Sequence, residues 1–109
     1  MADLRETADL AASDFPAALI VVTELLSNAL RYGAGAASYA LEWDGSAAVL
    51  HVWDNGPAFR LAFERAPVTA DGGRGLALVR ELARDLSVTR TPDGNHVRCV
   101  LPIARTLVD

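Results

Sequence analysis

The sequence predicts an α/β (α+β) two-layer sandwich: a mixed, mainly antiparallel sheet of four or five strands with helices on one face. Three observations predict it. Ala17–Tyr32 carries apolar residues at helical spacing. Two pairs of β-like runs are each joined by a turn containing Asp-Gly. A glycine-opened amphipathic segment lies between those pairs.

Residues 3–13 are polar and alanine-rich and read as weakly helical. Ser13 or Asp14 is placed to cap the next helix, with Pro16 early in its first turn. In Ala17–Tyr32, Leu19, Ile20, Val22, Leu25, Leu26, Ala29 and Leu30 predict a largely buried helix, and Gly33 follows as a stop. Tyr39, Leu41 and Trp43 then share one face of a strand over 38–43. In 46–54, Ala48, Leu50 and Val52 share one face, and Val49, His51 and Trp53 the other. Asp44-Gly45 between them is a preferred hairpin pair. Residues 58–72 have no clear period and make a long connection for so small a domain. Gly72-Gly73-Arg74-Gly75 opens a helix through about Leu86, with Leu78, Val79, Leu82 and Leu86 on its inner face. Two more strands, 87–91 and 95–101, meet at Pro92-Asp93-Gly94.

Composition narrows the function. The 109 residues make one domain, 51% hydrophobic and 22% charged, which is enough to form a core. All ten basic residues are arginine. The absence of lysine excludes a Walker-type phosphate loop, a kinase-type ATP-pairing lysine and Schiff-base chemistry. A net charge of −4 argues against nucleic acid and against an anionic membrane surface as partners. No run approaches the roughly 20 apolar residues of a membrane span. The first residues lack a basic-then-apolar leader, so a cytoplasmic location is expected. Cys99 is the single cysteine and alternates with Val97 and Leu101, as a buried strand residue would. Trp43 and Trp53 read as packing residues. His51 and His96 read as strand histidines, too few and too distant in sequence for a metal site.

Three segments carry candidate chemistry. Glu24, Asn28 and Arg31 share one helix face, either as a functional cluster or as a solvated stripe. Asp54, in Asp54-Asn55-Gly56-Pro57, has the parity of Leu50 and Val52 and so points to the covered face at the strand's end. There it serves either turn chemistry or a ligand's amino group. Gly72-Gly73-Arg74-Gly75 before a helix offers free N–H groups to an anion, or is simply a flexible connection.

Together and in this order, the three segments resemble the motifs of the GHKL superfamily, whose Bergerat fold binds ATP. The match is nearest to the small anti-sigma-factor serine kinases and histidine-kinase-like regulators. Residues 24–31 match the N box, 54–58 the G1 box and 73–79 the G2 box, while 58–72 lie where the ATP lid falls. The resemblance implies Glu24 as general base and Asn28 as the ligand of a Mg²⁺ that bridges the phosphates. It implies Asp54 as acceptor of the adenine amino hydrogen, with Gly56 letting the backbone approach the base. Gly73, Arg74, Gly75 and Leu76 would bind the phosphates, and Arg31 lies either at the phosphate end or in a surface ion pair. Two positions depart from the pattern. Ala58 stands where a second glycine is frequent, and Gly94-Asn95-His96-Val97 lacks the usual serine or threonine. Only about sixteen residues precede the helix at Ala17 that carries the N box, so the resemblance implies a sheet edge that a partner or a second copy in a homodimer would complete.

The implied function is an Mg-ATP-dependent protein kinase of the anti-sigma type. It would phosphorylate a Ser or Thr of an antagonist protein and control a sigma factor or another transcription regulator. One alternative is the catalytic module of a two-component histidine kinase, acting on a histidine of another chain in a response-regulator pathway. Another is a non-catalytic binding module switched by ATP.

Overall fold

The computed structural model describes residues 8–32, 37–56 and 73–106. Helix α1 spans Phe15–Tyr32. Asp14 begins it: the carboxylate Oδ1 accepts the Ala17 N–H at 3.0 Å and the carbonyl accepts that of Ala18 at 3.0 Å. Pro16 sits in the first turn, where a helix needs no N–H donor. Ser13, the other candidate cap, instead joins the far end of the sheet. Its hydroxyl accepts the Ala104 N–H at 3.0 Å and donates to the Ala104 carbonyl at 3.3 Å. Of the weakly helical segment over 3–13, a 3-10 turn at Leu10–Ala12 forms, capped by the Asp9 carboxylate; residues 3–7 lie outside the described residues.

The sheet has four strands: β1 (Ala37–Asp44), β2 (Ala47–Asp54), β3 (Asp85–Thr91) and β4 (Gly94–Ala104). Their order is β1-β2-β4-β3, and every pairing is antiparallel. Both hairpins form. The first closes through Gly45-Ser46, one residue later than the Asp44-Gly45 expectation, with Gly45 at φ +62°. Glycine takes that conformation without the steric cost a Cβ would bring. β4 continues past Leu101 through Pro102. Beyond β3's last pairing, the N-terminal segment hydrogen-bonds this strand instead: Asp14 N–H donates to the Pro102 carbonyl at 2.8 Å and Asp9 N–H to that of Ala104 at 2.7 Å.

Helix α2 spans Gly73–Leu82, shorter than the predicted end near Leu86. The spacing of Leu78, Leu82 and Leu86 fits a helix, but the Arg84 N–H turns to the Val100 carbonyl at 2.8 Å. This starts β3, and Leu86 then lies opposite Cys99. Leu86 therefore still faces the core, from a strand instead of a helix.

The core lies between the sheet and the helices. Val21, Leu25 and Ala29 of α1 pack on Leu50 and Val52 of β2, Cys99 and Leu101 of β4, and Val79 of α2. The expectation of a largely buried α1 is corrected here: Leu19 and Leu30 are 68% and 76% exposed, and Ile20 is also exposed. The helix buries one stripe, 18-21-25-29, and Leu19 and Leu30 fall outside it. Leu26, Ala29 and Leu30 border an apolar groove of ≈ 210 Å³ with Ala37, Ser38 and Tyr39 of β1. Among the described residues no helix is long and apolar enough to cross a membrane.

Candidate functional site

Strand parity carries Asp54 to the helix-covered face at the last position of β2, and it is buried there. A carboxylate in such a place needs donors. Its Oδ1 receives two: the Gly56 N–H at 2.8 Å and the Asn95 side-chain amide at 2.9 Å. The first is an Asx turn, local to the sequence. The second spans 41 residues and follows from register, since Asp54 and Asn95 are direct partners across β2 and β4. Among the described residues nothing hydrogen-bonds to Oδ2.

Two neighbours fix this corner. Arg90, exposed on edge strand β3 and paired with Asn95, donates from Nη1 to the Gly56 carbonyl at 2.7 Å and to Asn95 Oδ1 at 3.3 Å. Gly94 is buried against the backbone of Asp54: a Cβ there would lie 1.8 Å from the Asp54 carbonyl oxygen and 2.7 Å from the Asn55 Cα. Only hydrogen fits. Asn95 and Arg90 were not foreseen from the sequence. The one available signal was a polar residue on the inward parity of a strand otherwise filled by Val97, Cys99 and Leu101.

On α1, Glu24 and Asn28 are half-buried and Arg31 is exposed. Helical geometry puts them on the flank opposite Leu26 and Leu30, away from the β1 groove. Glu24 and Asn28 lie one turn apart, so carboxylate and amide project side by side. Gly73, Arg74, Gly75 and Leu76 form the opening of α2. Its first N–H groups have no partner within the helix, as for any helix start. The 58–72 connection lies outside the described residues.

A second polar cluster occupies the opposite sheet face. His51 Nε2 lies 2.8 Å from Glu42 Oε1, and His51 Nδ1 lies 2.9 Å from His96 Nε2. A carboxylate only accepts, so in the neutral rings His51 donates to Glu42 and His96 donates to His51. The three rings of His51, His96 and Trp53 stack, with Trp53 and His96 centroids 4.9 Å apart. The two histidines, 45 residues apart in sequence, are thus neighbours. Among the described residues no group of three or more metal-ligating side chains is assembled. Burial, the His51 ring and the Arg98 guanidinium hold His96 below its ordinary pKa. Burial, with the Asp85 charge adding to it, pushes the Cys99 thiol up to about 12, which makes it an inert core residue.

The corner at Asp54 presents a buried carboxylate whose Oδ1 is held by Gly56 and Asn95. It suits a ligand with an N–H donor, such as a ring amino group. The family model for the histidine kinase-like ATPase domain matches residues 1–101. No curated protein matches the chain significantly.

Proposed function

The chain belongs to the histidine kinase-like ATPase domain family, and from that premise we propose that it is an Mg-ATP-dependent regulatory protein kinase of the anti-sigma type. The observation that carries the nucleotide part is the Asp54 carboxylate: buried, with one oxygen saturated by Gly56 and Asn95 and the other left to a ligand. An adenine amino group would complete it. Guanine would set a carbonyl against the same carboxylate and leave both acceptors unpaired.

The residues on α1 suit the phosphate end. Asn28 offers a hard amide oxygen, half-buried on the polar flank of the helix. Mg²⁺ takes one or two protein oxygens beside phosphates and water, which fits such a donor. When bound, the ion neutralises phosphate charge and orients the γ-phosphate. Glu24, one turn away, is the proposed general base. As a Ser or Thr hydroxyl of the partner attacks the γ-phosphorus, its proton passes to the Glu24 carboxylate. The bond from that phosphorus to the β,γ-bridging oxygen breaks, and ADP leaves. The opening of α2, at Gly73, Arg74, Gly75 and Leu76, supplies backbone N–H donors to phosphate oxygens. Arg31 adds charge at that end, and residues 58–72 are proposed as the lid. The partner is a transcription regulator or its antagonist protein.

Calorimetric titration with a non-hydrolysable ATP analogue, with and without Mg²⁺, tests the site. Magnesium-dependent binding is expected, weakened at least about tenfold by Asp54→Asn. A folded protein that fails to bind at millimolar analogue sinks the reading. Glu24→Gln then separates the functions: a kinase loses phosphotransfer while retaining ATP, whereas an ATP-switched binding module keeps its control of the partner.

A further inference from the structure

We propose that Arg90, acting through Asn95 and the Gly56 carbonyl, is the positioning residue that fixes which oxygen of Asp54 is offered to a purine amino group. The inference rests on reading Asp54 as the base acceptor, and the two residues it adds, Arg90 and Asn95, lie outside all three sequence motifs.

A carboxylate has two equivalent oxygens and can rotate about its terminal bond. For base selection one oxygen must stay occupied and the other stay free. The Gly56 N–H holds Oδ1 from the turn that follows β2, and the Asn95 amide holds it from β4. The Asn95 amide is itself two-faced. Turned over, it would set its own oxygen against the Asp54 carboxylate, two acceptors facing each other. The carboxylate and the Gly56 carbonyl, 3.5 Å from the Asn95 NH₂, already disfavour that orientation, and Arg90 reinforces them from the other side. Its Nη1 meets Asn95 Oδ1 at 3.3 Å, and a guanidinium can only donate, so the amide oxygen must face Arg90 and the amide NH₂ must face Asp54. The same nitrogen donates to the Gly56 carbonyl at 2.7 Å, tying the turn after β2 to edge strand β3. Arg90 therefore restrains both groups that hold Oδ1, without touching Asp54 itself.

The consequence is a preference that depends on a residue remote from the base. With Arg90 absent, the Asn95 amide oxygen loses this donor and the Gly56 carbonyl loses its charged donor, so the two groups that hold Oδ1 are less firmly restrained. Affinity for an adenine nucleotide falls, and discrimination against guanine falls with it.

The test is titration of the full chain with non-hydrolysable analogues of ATP and of GTP, on the wild type, Arg90→Ala, Arg90→Lys, Asn95→Asp and, as reference, Asp54→Asn. Arg90→Ala should weaken the ATP analogue about tenfold and shrink the ATP-over-GTP preference by a similar factor. Arg90→Lys should lie between, because an ammonium is a single point donor without the planar fork. Asn95→Asp should bind poorly at high pH, where two carboxylates face each other. It should recover as pH falls and one of them, protonated, donates to the other. A merely structural role for Asn95 would produce no such recovery. Thermal melting of each variant identifies any that does not fold, and the remaining variants still decide the matter. If Arg90→Ala and Arg90→Lys keep wild-type affinity and preference while Asp54→Asn abolishes binding, the positioning role is overturned and the nucleotide site stands. If the folded wild type binds neither analogue, both readings fall together.

Discussion

The two faces of the β2–β4 pair make different uses of the same strands. On the helix side, Asp54 and Asn95 form a closed corner in which each hydrogen bond has one possible direction. On the open side, one residue along each strand, Trp53 and His96 stack with His51 in a partly exposed ladder that ends on exposed Glu42. Alternation alone separates them, since successive strand side chains point to opposite faces. Burial makes one a fixed acceptor, whereas the other is a stacked ladder open to solvent at its edge. Polar residues brought together by register thus acquire a role from the face they land on.

Three substitutions sharpen that contrast. The largest effect belongs to Gly94→Ala. Its Cβ would enter the backbone of Asp54 and Asn55, which cannot move as a side-chain tip can. A loss of at least about 3 kcal/mol is expected, read by denaturant unfolding. A loss below about 1 kcal/mol would mean that β2 and β4 separate easily at this end, and that the corner is less rigid than its geometry.

A smaller and pH-dependent effect belongs to His96. Its folded pKa lies below the ordinary 6.5, so the unfolded ring binds a proton first as pH falls. The His96 contribution is intact above pH about 6.5 and is lost as pH drops through the folded value. His96→Gln should therefore narrow the drop in melting temperature between about pH 7.5 and about pH 5.5. An unchanged or wider drop would assign acid sensitivity to another group.

The smallest effect is expected at the rim of the open face, where Arg98 donates to Asp44 at 2.9 Å with both side chains substantially exposed. Asp44→Ala should shift stability by less than about 0.5 kcal/mol, because water and salt screen such a pair. A change several times larger in chemical denaturation would show that this face is better shielded than its exposure implies.

Much of the architecture was legible in residue order. The Asp-Gly pairs, the alternation in 46–54 and the apolar spacing of 17–32 lead to the two hairpins and α1 as they stand. The errors have separate physical causes. Leu86 fits the period of α2 equally well as a strand residue, and only the tertiary bond from Arg84 to Val100 decides. The exposure of Leu19 and Leu30 depends on which neighbours cover α1, which spacing does not encode. Asp54 was readable as an inward carboxylate from parity. Its partner was not, because Asn95 reaches it through a non-local register that no turn chemistry specifies. Arg90 is a further step removed, since its role depends on Asn95 being in place.

The bonds from Asp9, Ser13 and Asp14 to Pro102 and Ala104 join residues about ninety positions apart. Asp14 caps α1 locally, but tying that end of the helix to the sheet closes a loop of about ninety residues. Such closure is entropically costly and is not repaid until the last strand arrives. During synthesis, the helix that carries Glu24 and Asn28 therefore lacks these ties to the sheet until β4 has emerged.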